Sequence, residues 1–181
     1  GVNAMRMGIN GSSLIALGRP AAEIVDHAVV AEADGFSTYW MAQLGVPDAL
    51  TLLSVVGQAA STIELGTAVI ATWPRHPLML AGQALTVHAA IGGRLTLGVG
   101  LSHAPLVAQL GIGFERPMRH LREFLSVLVP LLSDGKVSFR GELFACDAQV
   151  FQAPSPRCPV LVAALGPQAL AIAGALTDGT A

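Results

Sequence analysis

Residues 63–103 read IELGTAVIATWPRHPLMLAGQALTVHAAIGGRLTLGVGLSH, and the fold follows from them. Positions 63–72 form an apolar, β-branched run that suits a strand buried on both faces of a parallel sheet. A polar corner, Trp73-Pro74-Arg75-His76, comes next, and Pro77 stands where the first turn of a helix tolerates proline. Behind it Leu78, Ala81, Ala84, Leu85 and His88 recur at helical spacing until Gly92 and Gly93 stop the helix. Positions 94–99 make a second short apolar strand, which ends in Gly100-Leu101-Ser102-His103. The stretch is a complete βαβ unit with two polar corners on one rim. In βα-repeat folds ligands bind on that rim, because the carboxyl ends of the strands carry the variable loops.

Working outward, strands are expected at 5–10, 36–41 and 160–164 as well, each followed by a helix. The first helix opens at Pro20 and runs to about Ala33, with Ile24, Val25, Ala28 and Val29 inside and Glu23, Asp26 and Glu32 in water. Gly11-Ser12-Ser13 forms the corner before it, and Gly35 ends it. Gln43 stands at the carboxyl end of the second strand, and Asp48 caps a helix to about Ala60 that buries Leu50, Leu52, Leu53 and Val56. After a short helical piece beyond His103, Pro117 opens a longer helix in which Met118, Leu121, Leu125, Leu128 and Leu132 form a packed face. A β-hairpin with strands at 136–139 and 143–146 interrupts the repeat, and Pro154, Pro156 and Pro159 mark a stiff connection into the next strand. Leu165-Gly166-Pro167 leads into a helix over 168–176, and 178–181 reads as the start of one more strand. Residues 1–4 read as a loose leader.

This alternation predicts an α/β fold: a parallel (β/α) barrel of the TIM type with right-handed crossovers and a hairpin inserted before strand five. A full barrel takes about 250 residues, so the chain holds roughly five-eighths of one and reads as a single, incomplete domain over 1–181. With 52% hydrophobic and 12% charged residues, it is poorer in charge than the usual quarter or so of a soluble domain, and some apolar surface is expected to stay uncovered. A net charge of −2 without a basic stripe argues against nucleic acid. No apolar run is long enough to span a bilayer, and the order of a signal peptide is missing, so the reading is a cytoplasmic protein with no membrane partner. Cys146 and Cys158 lie far apart without metal-ligand neighbours and are expected as free thiols.

Three pieces together resemble the bacterial luciferase-like superfamily, in particular its coenzyme F420-dependent oxidoreductases. They are Leu65-Gly66-Thr67-Ala68-Val69 leading into Pro74-Arg75-His76-Pro77-Leu78, Gly92-Gly93-Arg94 leading into Leu97-Gly98-Val99-Gly100-Leu101-Ser102-His103, and Ala163-Ala164-Leu165-Gly166-Pro167 leading into Ala175-Leu176-Thr177-Asp178-Gly179. The resemblance implies a TIM barrel that holds a flavin or 5-deazaflavin at the strand carboxyl ends. It implies a cis peptide at Ala68-Val69 behind the cofactor ring, and ring and ribityl contacts from Gly100, Leu101, Ser102 and His103. It also implies a backbone-contact loop at Leu165, Gly166 and Pro167, with a helix N-terminus behind it suited to an anionic group. Gln43 stands where many relatives carry an acidic residue followed by histidine, a departure at that corner of the site. The implied cofactor is coenzyme F420, an 8-hydroxy-5-deazaflavin, with FMN as the alternative.

Read from chemistry alone, Gly100 allows close backbone approach, and Ser102 and His103 can hydrogen-bond a polar ligand, although a helix cap and a surface histidine explain them equally well. Gly98-Val99-Gly100 lacks the third glycine of a dinucleotide fingerprint. Arg75-His76 reads as slightly more structural than functional, fixing its loop through backbone carbonyls, and His27, His88 and His120 read as structural. The rim carries few carboxylates and no metal-ligand cluster, so hydride chemistry fits better than hydrolysis, with Ser102 and His103 as the catalytic pair and a small organic molecule as substrate. The alternatives are an FMN-dependent monooxygenase, a phosphate-binding barrel lyase, and a catalytically silent half-barrel whose open apolar edge drives self-association. An open parallel edge with apolar faces is a pairing hazard, which favours a homodimer over a stable monomer.

Overall fold

The Asp48 carboxylate accepts the Thr51 N–H at 2.9 Å, so the helix behind it starts where the capping residue predicts. The computed structural model describes residues 5–43, 45–151 and 155–181; the expected leader at 1–4 and Pro154 lie outside these. In chain order the elements are β1 (Gly8–Asn10), α1 (Ser12–Ala16), α2 (Ala21–Ala33), β2 (Thr38–Met41), α3 (Ala49–Ala59), β3 (Glu64–Thr67), β4 (Ile70–Ala71), α4 (Pro77–Ala90), β5 (Leu95–Gly100), α5 (Ala104–Ala108), α6 (Pro117–Ser133), β6 (Lys136–Arg140), β7 (Ala145–Gln149), β8 (Val160–Val162), α7 (Pro167–Leu176) and β9 (Gly179–Thr180).

The main sheet runs β1-β2-β3-β5-β8-β9 with β4 also beside β5, and every pair in it is parallel. This is about half of a barrel, as the βα alternation predicts, and β9 is the added strand read at 178–181. The antiparallel β6–β7 hairpin stands apart from the sheet and packs on α6.

Alternation along the strands divides the two faces. Tyr39, Met41, Leu65, Leu97, Val99, Val160 and Val162 are buried, within one core that also holds Leu50, Leu53, Val56, Leu80, Leu121, Leu125 and Leu128 from the helices. On the opposite, concave face the indole of Trp40 lies across two neighbouring strands. A Cβ at Gly8 would stand 2.6 Å from its Nε1, and one at Gly66 2.3 Å from its six-membered ring, so both positions need a residue without a side chain. Arg94 ties the helical layer to the sheet by donating to the carbonyls of Gly57 in the last turn of α3 and of Ala60, its C-cap, and to those of Ile63 and Ile91.

Several expectations need correction. The apolar run at 63–72 is two strands, β3 and β4, rather than one. The Gly11-Ser12-Ser13 corner already contains the start of α1, because the Asn10 side chain accepts from the Ser12 N–H and turns the chain. In α2, Val29 is exposed and Ala31 is buried, because the buried stripe steps by four and three through Ile24, Ala28 and Ala31. In α4, Leu80 and Val87 are buried, while Leu78 and Leu85 are half-buried. The second hairpin strand begins at Ala145, two residues later than read, because Gly141 to Phe144 are drawn onto α6.

Candidate functional site

The break between β3 and β4 shapes the rim. Gly66 pairs with Thr96 and Ile70 with Val99, so one strand carries an extra residue, as in a bulge. The Thr67 side chain fills the interrupted ladder. Its hydroxyl accepts from the Gly98 N–H and donates to the Gly98 carbonyl, each at 2.8 Å. A side chain at Gly98 has no room, because its Cβ would lie 1.9 Å from the Thr67 carbonyl oxygen. Within the break the Ala68-Val69 peptide is cis, as the resemblance implies.

Several of the residues singled out by sequence gather around this break. The Ala68 N–H donates to Met41 O at 2.9 Å, and the Gln43 N–H to Val69 O at 3.3 Å. Gly100 lies against Val69 and Ala163; an added Cβ would stand 2.9 Å from one and 3.1 Å from the other. Beyond it the chain leaves the sheet through Leu101 and Ser102, the latter at φ 61°, a left-handed conformation uncommon outside glycine. His103 is exposed at the start of α5. Neither the Ser102 hydroxyl nor the His103 imidazole has a hydrogen-bond partner among the described residues. Gln43 differs: its amide oxygen accepts the Ala49 N–H at 2.8 Å and its NH2 donates to Gly45 O, so the side chain closes its own loop. Leu165, Gly166 and Pro167 are exposed after β8, with Leu165 fully so.

Sequence reading passed over the outer wall of this rim. Thr72 is fully buried, its N–H donates to Gly100 O at 3.0 Å, and its hydroxyl lies 2.9 Å from Nε2 of His120 on α6. The His120 ring stacks on Trp73 at 3.8 Å and 15°, and meets the edge of Phe144 at 5.3 Å. Phe144 is held there because the Glu123 carboxylate accepts the N–H groups of Glu142, Leu143 and Phe144 at 3.1, 2.7 and 3.0 Å. Burial opposes the Glu123 charge, but those three N–H groups outweigh it and lower the pKa. Burial pushes His120 down to about 4, against the pull of Glu123, so the ring is neutral near pH 7. A cavity of about 440 Å³ lined by Trp73, Arg116, His120, Leu143 and Phe144 adjoins this wall. An aromatic at 73, a histidine at 120 and an aromatic at 144 were the available signal, but nothing in their spacing links them.

Arg75 is structural through different partners from those expected. It reaches Asp48 at 2.8 Å and Gln83 at 2.6 Å rather than backbone carbonyls, while the His76 Nδ1 caps α4 by accepting the Leu78 N–H. His88 accepts the Leu95 N–H and contacts Pro156 O, and His27 bonds the buried Tyr39 hydroxyl. Cys146 and Cys158 are free and buried, and burial pushes Cys158 up to about 12. No described helix is long and apolar enough to cross a membrane.

Residues 5–181 match the model of the luciferase-like monooxygenase family. The chain belongs to that family. Among curated luciferase-like relatives, an F420-dependent glucose-6-phosphate dehydrogenase of Microbacterium testaceum is 30% identical over 87% of this chain and 51% of its own length. A 5,10-methylenetetrahydromethanopterin reductase of Methanolobus tindarius is 26% identical over 88% of this chain and 49% of its own. The chain thus spans about half the length of the curated relatives it matches. Two solved structures share the luciferase-like fold. The coenzyme F420-dependent tetrahydromethanopterin reductase of Methanopyrus kandleri superposes with a TM-score of 0.81 at 22% identity, covering 98% of this chain and 55% of that one. The oxygenating constituent of a Pseudomonas putida 3,6-diketocamphane monooxygenase, solved with FMN, gives 0.74 at 17% identity, covering 90% and 53%.

Proposed function

We propose that this chain carries the ring-binding half of an F420-dependent oxidoreductase acting on a small organic substrate by hydride transfer. The observation that carries the reading is the unpartnered polar pair at the tip of β5: Ser102 and His103 stand beside Gly100 without hydrogen-bond partners among the described residues, whereas the neighbouring polar side chains Ser12, Gln43 and Thr72 are engaged in bonds of their own. Such a donor set fits a flat ring with an apolar body and polar edges. Ala68, Val69, Gly100 and Leu101 would back the ring, Gln43 would shape the adjoining loop, and Leu165, Gly166 and Pro167 would meet its chain through backbone groups. A deazaflavin held there supplies the hydride-accepting or hydride-donating centre. The protein's own part is to orient that ring, to exclude water with Val69 and Ala163, and to move the accompanying proton at His103 with Ser102 beside it. The F420-dependent names of the curated glucose-6-phosphate dehydrogenase relatives support this cofactor. The FMN-bound neighbour favours a second reading on the same rim, an FMN-dependent monooxygenase.

The protein is further read as cytoplasmic and homodimeric. Among the described residues β1 and β9 stand at the two ends of the strand order, an arrangement that supports association and would also serve a catalytically silent half-barrel. Titrating the chain with F420 and with FMN, while following visible absorbance and running sizing chromatography, tests these readings. A spectral change with F420 supports the first reading, and one with FMN alone supports the second. No change with either, in a compact dimer, supports the silent assembly.

A further inference from the structure

His120 is the point where three elements meet. It stands in the first turns of α6, its Nε2 contacts the buried Thr72 hydroxyl at 2.9 Å, and the Thr72 N–H in turn holds Gly100 O at 3.0 Å. Its ring is stacked on Trp73 and edged by Phe144, which the Glu123 carboxylate fixes through the hairpin tip. A leucine would fill such a site on an apolar helix face; a polar ring is explained by the hydroxyl that it meets.

We propose that His120 is a positioning residue for the Gly100–His103 segment: acting through Thr72, it sets where the tip of β5 stands, and the hairpin tip holds His120 in place. This rests on reading that rim as the cofactor site. The ring is buried, and its hydrogen bond goes to Thr72 rather than to a described residue of the 101–103 loop, so its effect on a bound cofactor runs through Thr72 and Gly100. The neighbouring cavity is lined by the same three rings, Trp73, His120 and Phe144.

The test compares His120→Leu, Thr72→Val and His120→Gln, the last keeping an amide near the position of Nε2. Affinity for F420 and FMN is measured together with the absorbance spectrum of the bound ring, and hydrogen exchange is followed at residue 72 and at 100–103. The expected result is about tenfold weaker ring binding in His120→Leu and in Thr72→Val, with no further loss in the double variant and rescue by His120→Gln. Exchange at 72 and 100–103 rises in the two disabled variants while the far end of α6 stays protected. Lowered melting temperature with unchanged affinity, spectrum and exchange at 100–103 would overturn the proposal and leave His120 as core packing. If the unmodified chain binds neither ring, the cofactor reading fails on its own, and exchange decides: a rise at 100–103 that His120→Gln reverses supports the link, and no rise overturns it. Thr72→Val, nearly isosteric, serves if His120→Leu does not fold.

Discussion

The Thr67 hydroxyl bonds both backbone groups of Gly98, accepting from its N–H and donating to its carbonyl, each across 2.8 Å. One side chain thereby does the work of two ladder bonds. Thr67→Val should leave a buried N–H and a buried C=O unpaired and cost about 2–4 kcal/mol, seen as a lower denaturation midpoint, while Thr67→Ser should recover most of it.

Gly98→Ala is the harsher change at the same place. Its methyl would meet a backbone oxygen, which has nowhere to go, so the variant should express as insoluble protein. Gly66→Ala would meet the Trp40 ring instead; combined with Trp40→Leu it should fold better than alone, measurable as a double-mutant cycle.

Arg94→Lys should lower stability by about 2–3 kcal/mol in urea titration. A single ammonium cannot reach the four carbonyls that the guanidinium fork now serves, two of them at the end of α3.

Acid should weaken the fold in two stages. His120 is neutral when folded and charges more readily when unfolded, so its contribution is complete above about pH 6.5 and declines as pH falls toward about 4. Glu123 and Asp48, whose folded pKa values are lowered, act later: their contributions are present above the ordinary carboxylate range and are lost as pH falls below it. Stability measured across pH 3–7 should therefore fall in His120→Gln less steeply than in the parent between pH 6.5 and 4, with the lower limb unchanged.

Ser102→Gly should raise stability by about 1 kcal/mol by relieving the left-handed backbone, and should weaken F420 binding if the hydroxyl is used. Thermal melts with and without the cofactor separate the two effects.

Much of the scaffold was legible because its signals are local. Asp48 is followed by an apolar periodicity, Pro77 stands at a helix start, and Gly92-Gly93 at a helix end, so each element could be read from its own neighbours. The split of the third strand could not be read from composition, since Ala68 and Val69 suit an unbroken strand; the family resemblance gave the cis peptide within it but not the division into two strands. The Thr72–His120 pair joins residues 48 positions apart, and the helix periodicity around His120 disguised it as an ordinary core position. A corner offers Arg75 nearby backbone carbonyls, whereas Asp48 and Gln83 come close only once α3 and α4 pack.

Trp40 and Trp73 are the chain's two tryptophans, one spread over the concave face above Gly8 and Gly66, the other stacked on a neutral imidazole in the outer wall. Emission from the first reports what fills the hollow, and quenching of the second reports whether the wall is intact. The fold therefore comes with a built-in pair of optical gauges, and single Trp→Phe variants would let each be read without any added label.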